Sequence, residues 1–138
     1  MAAKRLSGSD RGRWEPRYVP GDGRKRIGAR GEDAAAAFLE ACGLRVLLRN
    51  YRCRYGEIDL IAMEGETLVF VEVKLRHAPF DPLETVDARK QSKLSRAAFD
   101  FLERRGMLAH PARFDVIAVE GRTLHCEHIR DAFEAALD

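Results

Sequence analysis

Cysteine is scarce in this chain of 138 residues: Cys42, Cys53 and Cys126 are all it has, an odd count with no CxxC pair. That speaks against a disulfide scaffold, and reduced thiols in a cytoplasmic protein are the expectation. Cys126 and His128 share a strand face in "LHCEHI". Two zinc donors with no partner pair elsewhere do not make a zinc site. Long apolar runs are missing as well. No stretch approaches the length of a membrane span, and no apolar core follows the first basic residues as it would in a secretory signal. The glycines of "GDGRKRIGARGE" have neither the spacing nor the preceding strand of a dinucleotide-binding loop. There is no internal repeat, and the length suits one domain with one modest core.

What is present is unevenly placed. The formal net charge of +2 hides a split along the chain. Residues 1–26 hold eight basic side chains (Lys4, Arg5, Arg11, Arg13, Arg17, Arg24, Lys25, Arg26) against Asp10, Glu15 and Asp22, a net of +5. The other 16 basic and 19 acidic residues leave a net of −3 on residues 27–138, which read as the folded domain. The arm has scattered Gly and Pro and little hydrophobic periodicity, so it reads as disordered. Composition leaves open whether it draws in nucleic acid non-specifically or is a solvated tail. Trp14 and Tyr18 do not decide between the two.

From Gly28 to Cys42 the sequence is alanine-rich and stops at Gly43, which predicts a helix. Residues 44–52, 57–63 and 67–75 read as strands, and Pro79 and Pro82 mark a loop. A long helix follows over residues 84–105, with Leu94, Ala97, Ala98, Phe101 and Leu102 on one stripe. "RFDVIAVEG" and "TLHCEHI" form a second hairpin, and "RDAFEAAL" a short closing helix. The order α-β-β-β-α-β-β-α predicts a sheet covered by helices.

Three charges interrupt this pattern. In "GEIDLIAMEGETLVFVEVKLR" the turn falls at Gly65-Glu66, with glycine where a type II′ turn wants it. Glu64 then pairs with Thr67, Met63 with Leu68, Ile61 with Phe70, Asp59 with Glu72 and Glu57 with Lys74. Ile58, Leu60 and Ala62 share the opposite face with Val69, Val71, Val73 and Leu75. Both faces are largely apolar, so the hairpin belongs inside a sheet covered on both sides. Asp59 and Glu72 become cross-strand neighbours, their Cβ atoms roughly 4.5–5.5 Å apart, where like charges repel. Partial burial makes that worse. A divalent cation would reverse the sign, since two carboxylates, a main-chain carbonyl and waters suit the oxygen shell of Mg²⁺. Without a cation, the same residues are a charged strip in which Lys74 pairs with Glu57 or Glu72.

Other polar residues sit nearby in the pattern. Lys90 and Gln91 continue the inward stripe of the long helix, where they either cap its buried face or reach the site. Arg89, Lys93 and Arg96 lie around the same helix, available to phosphates or simply solvated. Glu32 stands near the start of the first helix, where an acid suits the macrodipole. It also shares a face with Ala36 and Leu39 and so is a candidate to look inward.

The succession "GARGEDAAAAFLEACGLRVLLRNYR", "GEIDLIA", "LVFVEVKLR", "ARKQSKL" and "RFDVIAV" closely resembles the YraN family of small bacterial proteins described as endonucleases, over about Ile27 to Phe133. That family looks like a member of the PD-(D/E)XK nuclease superfamily, akin to archaeal Holliday junction resolvases. The resemblance implies an α/β fold of restriction-endonuclease type, a mixed β-sheet of about five strands flanked by helices. It also implies binding of Mg²⁺ (or Mn²⁺) and hydrolysis of phosphodiester bonds. Carried over, the superfamily's first acid falls on Asp59, its Glu-x-Lys on Glu72, Val73 and Lys74, and the acid of the first helix on Glu32. Ile58 stands where the superfamily's name has proline, a position that varies between its branches.

The expectation is therefore a metal-dependent endonuclease acting on nucleic acid, with DNA the first candidate and RNA left open by the sequence, branched DNA a candidate substrate and a homodimer suggested by analogy alone. Asp59, Glu72 and the Val73 carbonyl would hold the ion, Lys74 would orient the attacking water, and Glu32 would assist. Lys90, Gln91, Arg89 and Lys93 would meet phosphates. Two rivals stand beside it. A non-catalytic nucleic-acid-binding or assembly module on the same scaffold needs no cation. A metal hydrolase of small phosphate esters would have no appreciable affinity for DNA or RNA.

Overall fold

A computed structural model describes residues 24–77 and 86–136; the N-terminal arm up to residue 23 and the proline loop at 78–85 lie outside the described residues. The chain runs α1 (Arg24–Ala41), β1 (Arg45–Cys53), β2 (Gly56–Glu64), β3 (Thr67–Arg76), α2 (Ala88–Arg104), β4 (Ala112–Glu120) and β5 (Cys126–Phe133). The five strands form one sheet in sequence order. Neighbours are antiparallel except β3 and β4, which run parallel, with α2 as the crossover between them. This is the mixed α/β architecture expected, and it is compatible with a restriction-endonuclease-like fold.

Both helices stop for the same reason. Gly43 has φ 94° and Gly106 φ 66°. Around each, one amide reaches back to close the last turn: Leu44 N to Leu39 O at 3.0 Å, and Met107 N to Leu102 O at 2.8 Å. These are Schellman closures, which satisfy the carbonyls that a helix end leaves over. α1 starts at Arg24, ahead of the expected Gly28, so the boundary drawn between residues 26 and 27 falls inside a helix. α2 starts later than the sequence pattern placed it. Asp87 caps it, accepting a hydrogen bond from Lys90 N at 2.8 Å.

Each face of the sheet carries its own core. On the α2 side Leu94, Ala97, Ala98 and Phe101 pack on Leu48, Ile61, Met63, Leu68, Phe70 and Phe114. On the α1 side Ala35 and Leu39 pack on Leu60, Ala62, Val69, Val71, Ile117 and Val119. Helix α1 comes close enough to β3 that a Cβ on Gly31 would stand 3.4 Å from Leu75 Cδ1.

The β2–β3 hairpin keeps the expected register from Glu64↔Thr67 to Leu60↔Val71, and φ is positive at Gly65 but not at Glu66, as a type II′ turn requires. The ladder then stops. Asp59↔Glu72 and Glu57↔Lys74 are not paired, contrary to the simple extrapolation. Glu57 instead pairs with Arg52 of β1 and forms an ion pair with it at 2.5 Å. Beside it, between Arg49↔Leu60 and Tyr51↔Ile58, the Asn50–Asp59 pair is missing from the β1–β2 ladder and Asn50 adopts φ 57°, while that ladder's register shift lies between Val46 and Leu48. Ile58, expected beside Leu60, lies in the α2-side core with Ile61.

The closing helix over "RDAFEAAL" does not form. Arg130 to Phe133 continue β5, and residues 134–136 are irregular. Phe133 pairs with Phe114 and stacks on its ring at 4.7 Å, while Asp131, at φ 51°, donates its amide to Asp115 Oδ1 at 2.9 Å. Those tertiary contacts outweigh the helical propensity of an alanine-rich octapeptide. Among the described residues no helix is long and apolar enough to cross a membrane.

Candidate metal and phosphodiester site

The end of the β2–β3 ladder opens a fork between two central strands. Asp59 fills it: its Oδ2 accepts the amide of Val73 at 2.8 Å, a bond that a β2 carbonyl would otherwise make. In an extended strand the N–H and C=O of one residue face the same neighbour. The Val73 carbonyl therefore looks into the same fork. Glu72, 5% exposed, stands next to it and interacts directly with Asp59. Burial, then the charge of Glu72, pushes the Asp59 carboxyl well above its ordinary range.

Two ammonium groups attend Glu72. Lys74 Nζ lies 3.6 Å from its Oε2 and Lys90 Nζ 3.5 Å from the same oxygen. Lys74 shares the strand, and Lys90 comes from the first turn of α2. Glu32 is half-buried in α1, near enough for its charge to be felt at Asp59. Burial raises its pKa, against the lowering influence of Asn50 and Arg49. Asp59, Glu72, Val73 and Lys74 thus come together, with Lys90 beside Glu72, whereas Glu32 touches neither acid in the described contacts and reaches the fork only through its charge at Asp59. Gln91 turns to its own helix end, donating Nε2 to Val86 O at 2.9 Å. Arg89 and Lys93 are exposed on α2, and Lys93 stands over Gly56 at the start of β2.

The donor set is lean. Among the described residues no three of His, Cys, Asp and Glu gather to hold a metal ion. Two carboxylates and one main-chain carbonyl leave the remaining positions to water. Such a set fits Mg²⁺, which keeps several waters and prefers oxygen, and suits thiolate- or imidazole-loving ions poorly.

A second charged cluster escaped the sequence reading. Asp115 is fully buried on the α1 side, and it accepts four hydrogen bonds: Arg113 Nε at 2.9 Å, Arg113 Nη2 at 3.2 Å, His128 Nε2 at 2.7 Å and Asp131 N at 2.9 Å. Burial alone would raise its pKa, but these donors together hold it below the ordinary value. Arg113 also reaches Glu64 at 2.7 Å, and Arg130 reaches the same acid at 2.6 Å. With every lone pair occupied, this cluster is a clasp joining β2, β4 and β5. It takes His128 away from Cys126, whose thiol donates to Leu124 O at 3.6 Å. The signal was available: Asp115 interrupts "FDVIAV" just as Asp59 interrupts "IDLIA".

The fold and site define an α/β protein with an acid pair and two lysines at a fork in a mixed sheet. Residues 31–119 match the model of the family described as "Uncharacterised protein family UPF0102". Similar proteins include a UPF0102 protein of Geobacter sulfurreducens, 50% identical over 117 residues, covering 81% of this chain and 91% of that one. Another, of Symbiobacterium thermophilum, is 50% identical over 117 residues, covering 80% of this chain and 98% of the relative. A third, of Pelotomaculum thermopropionicum, is 45% identical over 118 residues, covering 81% and 98%. The chain belongs to the UPF0102 family, the YraN-like group to which its segments pointed.

Proposed function

We propose that this protein is a Mg²⁺-dependent endonuclease of the PD-(D/E)XK type, cutting phosphodiester bonds in DNA, branched DNA included. The observation that carries the reading is the meeting of Asp59, Glu72 and Lys74 at the β2–β3 fork, beside the Val73 carbonyl. Two acids forced together in a partly buried fork are costly unless something cationic joins them. Asp59, Glu72 and the Val73 carbonyl are the groups that would hold the ion. When bound, it supplies charge to polarise a phosphoryl oxygen and to acidify a water.

The other roles belong to the chain. Lys74 Nζ, held near Glu72, orients the attacking water and offsets negative charge as the phosphorane forms. Glu32 adds a further acid from the α1 side. Arg89 and Lys93 offer exposed cations on the first turns of α2, where a phosphate backbone would pass. A homodimer suits the same reading, since two strands of a junction are cut symmetrically.

The test is incubation of the purified protein with Mg²⁺ or Mn²⁺ and branched, duplex and single-stranded DNA, with RNA alongside. Cutting is expected, and Asp59→Asn and Lys74→Met should each reduce it at least a hundredfold, the scale of one essential polar group. A wild-type protein that binds the cation yet cuts none of these substrates would return the scaffold to a binding role.

A further inference from the structure

Glu72 has one more partner than a metal-binding acid next to a catalytic lysine requires. Lys74 and Lys90 both approach Oε2, at 3.6 and 3.5 Å. Both separations exceed the roughly 2.7–3.2 Å of an N–H···O hydrogen bond, so neither ammonium is locked in place. The two differ in their tethers. The Lys74 side chain is 22% exposed and rises from the strand that carries Glu72. The Lys90 side chain is 42% exposed and reaches over from α2. Its backbone is fixed by the Asp87 cap, but its four-carbon stem is free to swing.

A buried carboxylate needs a counter-charge, and here Asp59 adds a second acid to the same fork. The two lysines provide that counter-charge. A divalent cation held by the two acids would bring positive charge to the oxygen that Lys90 attends. The more exposed and more loosely tethered ammonium is the one to leave. We propose that Lys90 is a displaceable counter-ion: it neutralises Glu72 until a cation arrives, and then swings out beside Arg89 and Lys93 to meet a nucleic-acid phosphate.

This inference rests on the metal-site reading above and adds a coupling to it. Cation and nucleic acid strengthen each other's binding through one side chain, and by linkage the effect is reciprocal. Lys90 is here a positioning residue, not one that touches the reacting atoms.

The experiment is calorimetric titration of Mn²⁺ into the wild-type full chain, Lys90→Met and Lys90→Arg. It is paired with fluorescence anisotropy of a labelled DNA duplex with and without Mn²⁺, recorded before cutting accumulates. Lys90→Met should bind Mn²⁺ more tightly, by at least about fivefold, the effect of removing a like charge a few ångströms away even at the dielectric of bulk water. Lys90→Arg should resemble the wild type. The gain in DNA affinity that Mn²⁺ brings should shrink in Lys90→Met. If the wild type binds Mn²⁺ and Lys90→Met binds it equally or more weakly, the displacement idea is wrong while the metal site stands. If the wild type binds no cation at all, both fall together.

Discussion

Asp59 sits where its own charge is disfavoured, by burial first and by Glu72 second. Its folded pKa lies above the unfolded value of about 3.9. The folded chain therefore keeps a proton that the unfolded chain has released. In the absence of divalent cation, the stability due to this group is complete below about pH 4 and is lost as pH rises towards its elevated folded pKa. Glu32, also raised by burial, works in the same direction. Glu64 works in the opposite one: Arg130 and Arg113 lower it to about 2, so its contribution is present above the unfolded pKa and lost as pH falls. The variant Asp59→Asn removes only the first effect. In urea unfolding without cation, the wild type should lose stability relative to Asp59→Asn as pH rises from about 4. Parallel pH curves for the two proteins would show that the fork does not hold this carboxyl under strain.

Among the elements, strands were easier to read than their ends. The register of β2 and β3 followed from one turn because alternation is strict wherever a ladder is regular, and Glu64↔Thr67 to Leu60↔Val71 obeyed it. The ladder ended at Asp59, beside Asn50 at positive φ, a conformation that asparagine adopts more readily than most residues but that hydrophobic alternation does not mark. Asp59, Glu72 and Lys74 were legible as charges in apolar strands. Lys90 stood on the right stripe of α2, yet its pairing with Glu72 needed the parallel crossover to bring helix and strand together. The end of β5 was misread because its determinants are distant: Phe114 and Asp115 hold Phe133 and Asp131 in a strand. Truncating that anchor measures the effect. Phe133→Ala should cost about 2 kcal/mol in denaturant unfolding, less than the ~3–5 kcal/mol of a fully buried phenylalanine because this ring is only partly buried. A change below about 0.5 kcal/mol, the level of an ordinary surface substitution, would mean that the stack with Phe114 does not hold β5.

Across the whole molecule, a domain carrying a net −3 must concentrate its cations to meet a polyanion. Arg89 and Lys93 do so on one end of α2, both exposed. If they contact phosphates, the double change Arg89→Gln and Lys93→Gln should flatten the dependence of log affinity on log salt by roughly 0.9 per residue on duplex DNA. Its unfolding curve should barely move, and an unchanged salt slope would put the backbone elsewhere. The fork between β2 and β3 reaches further than the two acids within it. Since the Asp59 side chain accepts the bond from Val73, that amide hydrogen is guarded by this carboxylate. Its isotope exchange should slow or quicken whenever the carboxylate changes allegiance, so a single resonance can report what occupies the centre of the sheet without any substrate being turned over.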